Sequence, residues 1–335
     1  MTDKRYITGV SLCLLITLLL GAYLRWYLAN VAPLFGSWGN LRNTHIHLGY
    51  YGVIFPLMWI SWRTAGATIL GKYSLWLYSI SVVGACLGFL FTGYGIVAII
   101  GSTGVLIIWL VSAFKLQFWS GRRQSWLKGV PLAILLGAMC IPAIAVSGGA
   151  ERNQWLRTFL TLLLLGGAVP TACLLDGLRR QKGSGFWIVL TVLAAIGVGP
   201  LDSSVLQLAF VGMGLILLFS TPREFTPNAV MWQVTGLSLI IIGFHELNHF
   251  ISIAGTHYML LGPVLIAMTR PAFRGEPIWL EWWYLGALLL FTAAMTVPAL
   301  LPSLPNSALI TAGSGSVVVL IWVFRGLRAL RFKTT

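Results

Sequence analysis

Apolar runs long enough to cross a lipid bilayer follow one another along this chain, and they constrain its fold more than any other feature. A helix needs about 20 apolar residues to span the hydrocarbon core, and such runs recur from Ile7 almost to the C-terminus. Only 9% of the residues are charged and 58% are hydrophobic, which leaves too few charges to cover a soluble globule. The sequence therefore predicts an all-α, polytopic membrane protein whose main partner is the lipid bilayer.

About twelve transmembrane helices are predicted when the runs are measured against this length. We expect them to begin near Ile7, His45, Ser74, Gly93, Val130, Thr158, Gly185, Ser204, Met231, Phe250, Ile278 and Ala308. The stretch from Met231 to Arg270 is interrupted by HELNH, and we divide it there into two spans. No soluble domain fits between the runs, so residues 1–335 are predicted to form a single integral membrane domain.

Basic residues orient the predicted bundle. The net charge of +14 would suit nucleic acid, but the basic residues lie in short clusters between apolar runs, where they act as topology signals. With a cytoplasmic N-terminus, 18 of the 22 lysines and arginines lie inside, and only Arg25, Arg42, Arg152 and Arg157 lie outside. The positive-inside rule favours this register. We therefore predict a bacterial-type inner-membrane protein with both termini in the cytoplasm and no nucleic-acid partner.

Five histidines are brought to one side of the membrane by this topology. They form two clusters in the sequence, and both clusters lie at the outer side: His45, His47, His245, His249 and His257. A polar nitrogen inside hydrocarbon is costly unless it has a partner. A bound metal is one such partner, while a backbone carbonyl or interfacial water is the alternative for any single ring.

The spacing of the histidines indicates which of them share a ligand. On a helix, His45 and His47 are about 200° apart, so they cannot bind one ion together. They can serve two different sites, or one of them can bind a metal while the other makes a supporting hydrogen bond. His245 and His249 lie four residues apart on one helix face, which suits a shared metal or two neighbouring ones. His257 lies eight residues beyond His249 and is suited to act alone, as an axial ligand does.

The HELNH segment also matches HExxH, a motif in which two histidines bind zinc and the glutamate acts as a general base. An intramembrane zinc metalloprotease that uses His245, Glu246 and His249 is therefore an alternative function. The LDG aspartate used by site-2 proteases would be Asp176. It precedes HExxH here, and the charge register places it on the cytoplasmic side, so we expect it to pair with a neighbouring arginine instead.

Two short stretches around the histidines resemble the paired signatures of the NnrS family of haem- and copper-containing membrane proteins. The matching residues are His45-Ile46-His47 with Gly52, and His257 with Gly262, Gly275 and the run Ala267-Met268-Thr269-Arg270. Those proteins are similar to the twelve-helix catalytic subunit of haem-copper oxidases and nitric oxide reductases. The resemblance implies a haem of b type, copper as a second metal, an electron donor, and a role in handling nitric oxide or related respiratory gases.

The resemblance also implies how the haem would be held. His257 and one of His45 or His47 are the expected axial ligands. Arg25 and Arg42 are rare outer-side cations, and a guanidinium suits the two propionates of a haem. The alternative for both arginines is anchoring at lipid headgroups.

A second metal is expected at the remaining histidines. His245 and His249 are its best candidates, with His47 and His257 as further ligands, and Glu246 is a candidate proton carrier or a partner that orients an imidazole. The oxidases hold copper with histidines of their sixth and seventh helices, whereas no histidine lies between Ala65 and Phe244 here. Haem is therefore favoured over copper, since haem iron needs only one or two axial imidazoles.

A membrane transporter without metal is the third function that this sequence allows. Glycines and prolines inside spans let helices approach closely or bend, but no internal repeat indicates a transporter built from inverted halves. The residues around the histidines identify no reaction, so enzymatic activity stays open.

Overall fold

The computed structural model describes residues 4–67, 69–120, 127–176, 178, 184–198, 203–244, 249–270, 273, 276–300 and 307–331. Within these ranges the chain is helical and contains no β-strand. The α-helices are α1 (Lys4–Leu28), α2 (Trp38–His47), α3 (Phe55–Thr64), α4 (Lys72–Thr92), α5 (Ile96–Ser120), α6 (Val130–Val146), α7 (Gly149–Thr161), α8 (Val169–Leu175), α9 (Ser184–Val198), α10 (Ser203–Ser220), α11 (Pro227–Phe244), α12 (His249–Met259), α13 (Leu265–Thr269), α14 (Ile278–Leu300) and α15 (Ser307–Arg331). The expected all-α, polytopic class agrees with this architecture.

Seven helical segments in the described part of the chain are long and apolar enough to cross a membrane. They are Tyr6–Leu28, Lys72–Thr92, Ile96–Phe118, Gly149–Leu175, Pro227–Phe244, Ile278–Thr296 and Ser307–Arg328. Four shorter apolar helices accompany them: Val130–Ile144, Phe186–Gly197, Val205–Ser220 and Ile253–Thr269. Many large apolar side chains on these helices face outward, as expected where lipid rather than water is the solvent.

Three of the helical rods are interrupted by a short π-helix. These segments are π1 (Leu48–Ile54) between α2 and α3, π2 (Leu162–Ala168) between α7 and α8, and π3 (Leu260–Val264) between α12 and α13. A proline accompanies each of them: Pro56, Pro170 and Pro263. Proline has no N–H and clashes with the carbonyl four residues earlier, and a wider turn accommodates the ring.

Two of these prolines leave a backbone carbonyl without its usual N–H donor, and a side chain of a neighbouring helix donates to it instead. In a π-helix an N–H bonds the carbonyl five residues earlier, so Pro56 leaves the Tyr51 carbonyl without its backbone donor. The Tyr78 hydroxyl of α4 donates to that oxygen at 2.6 Å. In the same way, Pro170 leaves the Leu165 carbonyl, which accepts the indole N–H of Trp187 in α9. A side chain of the neighbouring helix therefore stabilises each of these two π-helices.

The chain divides into two compact units by its internal contacts. Unit 1 comprises Met1–Ile60, Leu70–Ile107 and Thr269–Thr335. In it, α1 packs against π1, α2 and α15, α2 packs against α4, and α14 packs against α15. Close glycine contacts bring α4 and α5 together, since a Cβ added at Gly88 would lie 2.4 Å from the backbone nitrogen of Ala98.

Unit 2 comprises Ser61–Ile69 and Ile108–Met268. Its α10 packs against α9 and α11, α6 packs against α7 and π2, and α12 packs against α11. The second and third π-helix rods meet directly, because α8 contacts π3. The indole N–H of Trp62 donates to the Thr171 hydroxyl at 3.0 Å in the buried interior of this unit.

Candidate metal-binding site

His45 of α2 faces α1 in unit 1. Its Nδ1 lies 3.0 Å from the carbonyl oxygen of Thr17. The ring fits against Gly21, where an added Cβ would lie only 2.7 Å from the imidazole Cε1. Glycine at this position is therefore what lets the helices approach closely enough for the imidazole to reach the Thr17 carbonyl.

His47 faces the opposite direction and lies against α4. Its Nδ1 lies 2.8 Å from the Asn43 carbonyl oxygen, one turn earlier in α2. Its ring is stacked on Phe89 with centroids 3.8 Å apart, and the rings of Tyr51 and Tyr94 meet it edge-on at 5.1 and 6.1 Å. The two histidines thus point to different neighbours, in line with the angle of about 200° expected from their spacing.

His257 of α12 lies in unit 2, close to the start of π3. Its Nδ1 lies 2.8 Å from the carbonyl oxygen of Ile253. Two residues after it, α12 ends and π3 begins, and Gly262 in π3 has non-helical backbone angles of φ −80° and ψ −110°. His47 occupies a similar position, as the last residue of α2 before π1.

The same tautomer follows from the hydrogen bonds of these three imidazoles. A carbonyl oxygen can only accept, so Nδ1 must carry the proton and donate it. In a neutral ring the lone pair then lies on Nε2. Metal-bound histidines commonly have this arrangement, in which Nδ1–H donates to a carbonyl or carboxylate and Nε2 binds the metal.

Arg25 lies near His45 at the C-terminal end of α1. The two side chains are close enough to interact electrostatically, and the Arg25 guanidinium Nη2 lies 3.8 Å from the Met295 sulfur. Among the described residues, Arg25 has no ion pair with a carboxylate. The other predicted propionate partner, Arg42, has an exposed side chain on α2. Arg25 therefore combines partial burial, a permanent charge and proximity to a candidate ligand, whereas Arg42 does not.

Three of the predicted site residues belong to the HELNH segment. His245 and Glu246 lie outside the described residues, while His249 is the first residue of α12, with a side chain that is likewise outside the description. In the described part of the chain, no group of three or more His, Cys, Asp or Glu side chains is arranged to hold a metal ion. Single imidazoles such as His45 and His257 suit haem iron better than an ion that needs three or four protein ligands.

Asp176, the aspartate of the LDG sequence, accepts a hydrogen bond from the Trp232 indole N–H at 2.6 Å. Trp232 lies in the N-terminal part of α11, and Phe244 ends that helix just before HELNH. The rise of about 1.5 Å per residue separates these two positions by about 18 Å along the helix axis. This separation counts against Asp176 as a third ligand of a zinc site at HELNH.

A buried ion pair in unit 1 was not foreseen, since the sequence shows Arg325 only as one of the inner-side cations. The Arg325 Nη2 and Nε atoms lie 2.8 and 2.9 Å from one carboxylate oxygen of Glu276, and the side chains are 1% and 7% exposed. The rings of Phe273, Tyr284 and Trp322 surround the guanidinium, with centroids 4.7–5.7 Å from its central carbon. Hydropathy is a local average, so it cannot identify an ion pair between residues 49 positions apart in sequence. Aromatic residues around both positions are the sequence feature that relates to this site.

Burial raises the pKa of Glu276, and the hydrogen bond and charge of Arg325 oppose that increase. The second carboxylate oxygen, Oε1, and the Arg325 Nη1 atom have no hydrogen-bond partner among the described residues. The pair is therefore held by one oxygen and by three aromatic faces.

Comparison with protein families, with curated proteins and with solved structures finds no match to this chain.

Proposed function

We propose that this chain is a haem-binding protein of a bacterial-type inner membrane, with twelve spans and both termini in the cytoplasm. In this proposal the seven long apolar segments would be joined as spans by the four shorter ones and by the interrupted rod from α2 to α3. In this proposal His257 provides an axial imidazole in unit 2, and one of His45 or His47 provides an axial imidazole in unit 1. Bound haem would supply an iron that binds a small gas such as nitric oxide, as the resemblance to the NnrS family implies.

The observation that carries the proposal is the shared tautomer of His45, His47 and His257. Each Nδ1 donates to a backbone carbonyl, so in each neutral ring the lone pair is on Nε2. A hydrogen bond on Nδ1 also fixes the ring orientation and makes Nε2 a stronger donor to a metal. The side chain of His45 is fixed twice, by the Thr17 carbonyl and by its fit against Gly21.

The position of the histidines relative to the π-helices supports the same proposal. His47 directly precedes π1, and His257 lies one turn before π3. Short π-segments occur frequently at functional sites because they re-aim the side chains around them. Arg25, which is partly buried near His45 without a carboxylate partner in the described residues, would bind a propionate.

The proposal also includes ligands for a second metal. His245 and His249, with His257 of the same unit, are proposed as ligands of a second metal such as copper, with Glu246 as a proton carrier, and His47 is proposed as a metal ligand within unit 1. An electron donor would be needed for any redox reaction at such a site.

An absorption spectrum with metal analysis of the purified chain tests the haem proposal. We expect a Soret band and about one or two haems per chain. His257→Ala and His45→Ala should each shift or weaken the band because an axial ligand is lost. Tyr258→Phe, which alters the residue next to His257 without removing an imidazole, is the matched control. A colourless preparation that contains other metals would contradict the proposal.

A transporter is the second candidate, and one observation favours it. The rod that carries His257 is broken at Gly262 and followed by Pro263, and transporters commonly bind substrates at interrupted helices. In that case solute flux in proteoliposomes should persist when His45, His47 and His257 are all replaced by alanine. Loss of flux together with loss of a Soret band would favour the haem proposal instead.

A further inference from the structure

An open apolar groove runs along the outside of unit 1 between α14 and α15. Its volume of about 460 Å³ lies within the range of about 300–1,000 Å³ that is typical of ligand-binding pockets. The residues that line it include Trp282, Trp283, Gly286 and Leu290 of α14 with Val317 and Ile321 of α15. Both helices are long and apolar enough to cross a membrane, so we expect lipid rather than water around the groove.

The glycine Gly286 keeps this groove open. A Cβ added at Gly286 would meet nothing within 4 Å, so no side chain of the described residues fills the space beside it. The walls are accessible from the outside, since the side chains of Trp283, Leu290 and Val317 are 69%, 56% and 44% exposed. The groove can therefore receive an elongated apolar group without any rearrangement of the two helices.

The length of the groove indicates what kind of group fits it. From Trp282 to Leu290 it extends over eight residues, which is about 12 Å along the helix axis. The hydrocarbon core of a bilayer is about 30 Å thick, so the groove is slightly shorter than one leaflet. A helix from a second copy of the chain would cross both leaflets. An acyl chain from one leaflet therefore fits the groove better than a spanning helix does.

Basic residues surround one end of the groove. The ion pair of Glu276 and Arg325 shows that the C-terminal end of α15 lies beside the segment that leads into α14. Residues 270–335 contain six Lys or Arg and two Glu, a surplus of four positive charges. In the sequence these residues flank the beginning of α14 and the end of α15: Arg270, Arg274, Arg325, Arg328, Arg331 and Lys333, with Glu276 and Glu281. This end of the groove is therefore complementary to an anion.

The α15 face of the groove continues to Arg328. This arginine follows Val317 by eleven residues and Ile321 by seven, so the helical repeat of 3.6 residues places all three on one face. It lies about 10 Å beyond Ile321 along the helix axis. Glu276 interacts with Arg328 electrostatically, but its carboxylate also bonds Arg325 at 2.8 Å. The two glutamates cannot neutralise all six cations, and a positive charge remains where the apolar walls end.

We propose that this groove binds a phospholipid with an anionic headgroup, with one acyl chain between α14 and α15 and the phosphate beside Arg328. The apolar walls accept the hydrocarbon chain, and the positive end favours a negative headgroup over a zwitterionic one. Trp282 and Trp283 lie between the two, as indoles do at the boundary between hydrocarbon and headgroups. The site belongs to unit 1 alone. It goes beyond haem binding and does not require that haem is bound.

Lipid binding to the full chain, delipidated in detergent, is measured by native mass spectrometry. Phosphatidylglycerol, which carries one negative charge, and phosphatidylcholine with the same acyl chains, which carries no net charge, are titrated separately. We expect the first phosphatidylglycerol to bind at least about fivefold more tightly than the first phosphatidylcholine. Equal affinities for the two lipids would overturn the proposal. A dimer that binds no lipid would also overturn it, since a second copy would then cover the groove.

The variant Gly286→Leu tests the groove itself. Its side chain enters a space where an added Cβ meets nothing, so the variant should fold. It should bind phosphatidylglycerol at least about threefold more weakly, because van der Waals contacts with the acyl chain are lost. Gly84→Leu on α4 is the matched control, because a Cβ at Gly84 also meets nothing within 4 Å. Equal affinities of these two variants would contradict binding in the groove.

The variant Arg328→Gln tests the headgroup contact. It should lower the preference for phosphatidylglycerol at least about threefold and leave the affinity for phosphatidylcholine unchanged. Arg223→Gln, at an exposed arginine of unit 2, is the matched control. Thermal unfolding establishes which variants are folded, and the wild type with Gly286→Leu decides the question even if Arg328→Gln does not fold. An unchanged preference in folded Arg328→Gln would refute the assigned position of the phosphate.

Discussion

The buried pair of Glu276 and Arg325 leads to a prediction about charge and pH. Glu276→Gln leaves the guanidinium of Arg325 buried without a counter-charge, and arginine cannot lose its proton at ordinary pH. Removing one partner of a buried ion pair costs about 3–5 kcal/mol. The three aromatic rings around Arg325 compensate part of this cost, by about 0.5–2 kcal/mol for a desolvated cation. We therefore expect a net loss of about 1–4.5 kcal/mol, nearly independent of pH.

The opposite variant, Arg325→Met, should depend on pH. Burial already raises the pKa of Glu276, and this variant removes the larger of the two arginine effects that oppose the increase, while Arg328 stays in place. A carboxyl with a raised pKa favours the folded state by taking up a proton; the contribution is complete below its unfolded pKa and is lost as the pH rises through the folded value. Arg325→Met should therefore be at least about 1 kcal/mol less destabilising near pH 5 than near pH 8.

Unfolding by sodium dodecyl sulfate in mixed micelles, followed by tryptophan fluorescence at both pH values, measures these free energies. The double variant Glu276→Gln with Arg325→Met removes both charges and should recover at least about 1 kcal/mol relative to Glu276→Gln alone. The pair is not a buried and coupled one if the free energy of unfolding of Glu276→Gln lies within about 0.5 kcal/mol of that of the wild type. The same conclusion follows if the destabilisation by Arg325→Met does not change with pH.

Two further predictions concern helix packing. Tyr78→Phe and Trp187→Phe should each cost about 1–3 kcal/mol in the same assay, because each leaves a π-helix carbonyl without its donor. Tyr73→Phe and Trp283→Phe are exposed controls, and equal losses in variants and controls would remove the role assigned to these bonds. Gly88→Ala should destabilise by at least about 1–3 kcal/mol because its Cβ meets the Ala98 backbone at 2.4 Å. Gly84→Ala, where a Cβ meets nothing within 4 Å, should be neutral or stabilising, and similar thermal unfolding of the two would contradict the close approach of α4 and α5.

The class of the protein and the behaviour of the first histidine pair were predictable from periodicity alone. Apolar runs of membrane-spanning length predicted helices, because only helices and closed barrels satisfy the backbone in lipid. The angle of about 200° between His45 and His47 is a property of any helix, and the structure accordingly directs one ring to α1 and the other to α4. The haem assignment rests on the resemblance and on the tautomers, and it stays a prediction.

Features that depend on distant partners were not predictable in this way. Arg325 counts in hydropathy only as a basic residue near a helix end, and nothing local shows that Glu276 neutralises it. Asp176 was expected to pair with a neighbouring arginine, and the structure adds Trp232, 56 residues away, as a donor to its carboxylate. The prolines Pro56 and Pro170 were visible as residues inside spans. The π-helices beside these prolines were not predictable, because they depend on hydrogen-bond donors from other helices, Tyr78 and Trp187.

Those wider turns set the rotational phase between the two halves of each interrupted rod. The wider turn of π1 already accommodates one residue more than an α-helix of the same length, and a further inserted residue would rotate α2 by about 100° relative to α3. His45 would then turn away from Gly21, and His47 would turn away from Phe89, although neither residue had been substituted. A further insertion at Leu48–Ile54 should therefore be far less tolerated than a substitution there, because the number of residues between α2 and α3 determines where the imidazoles point.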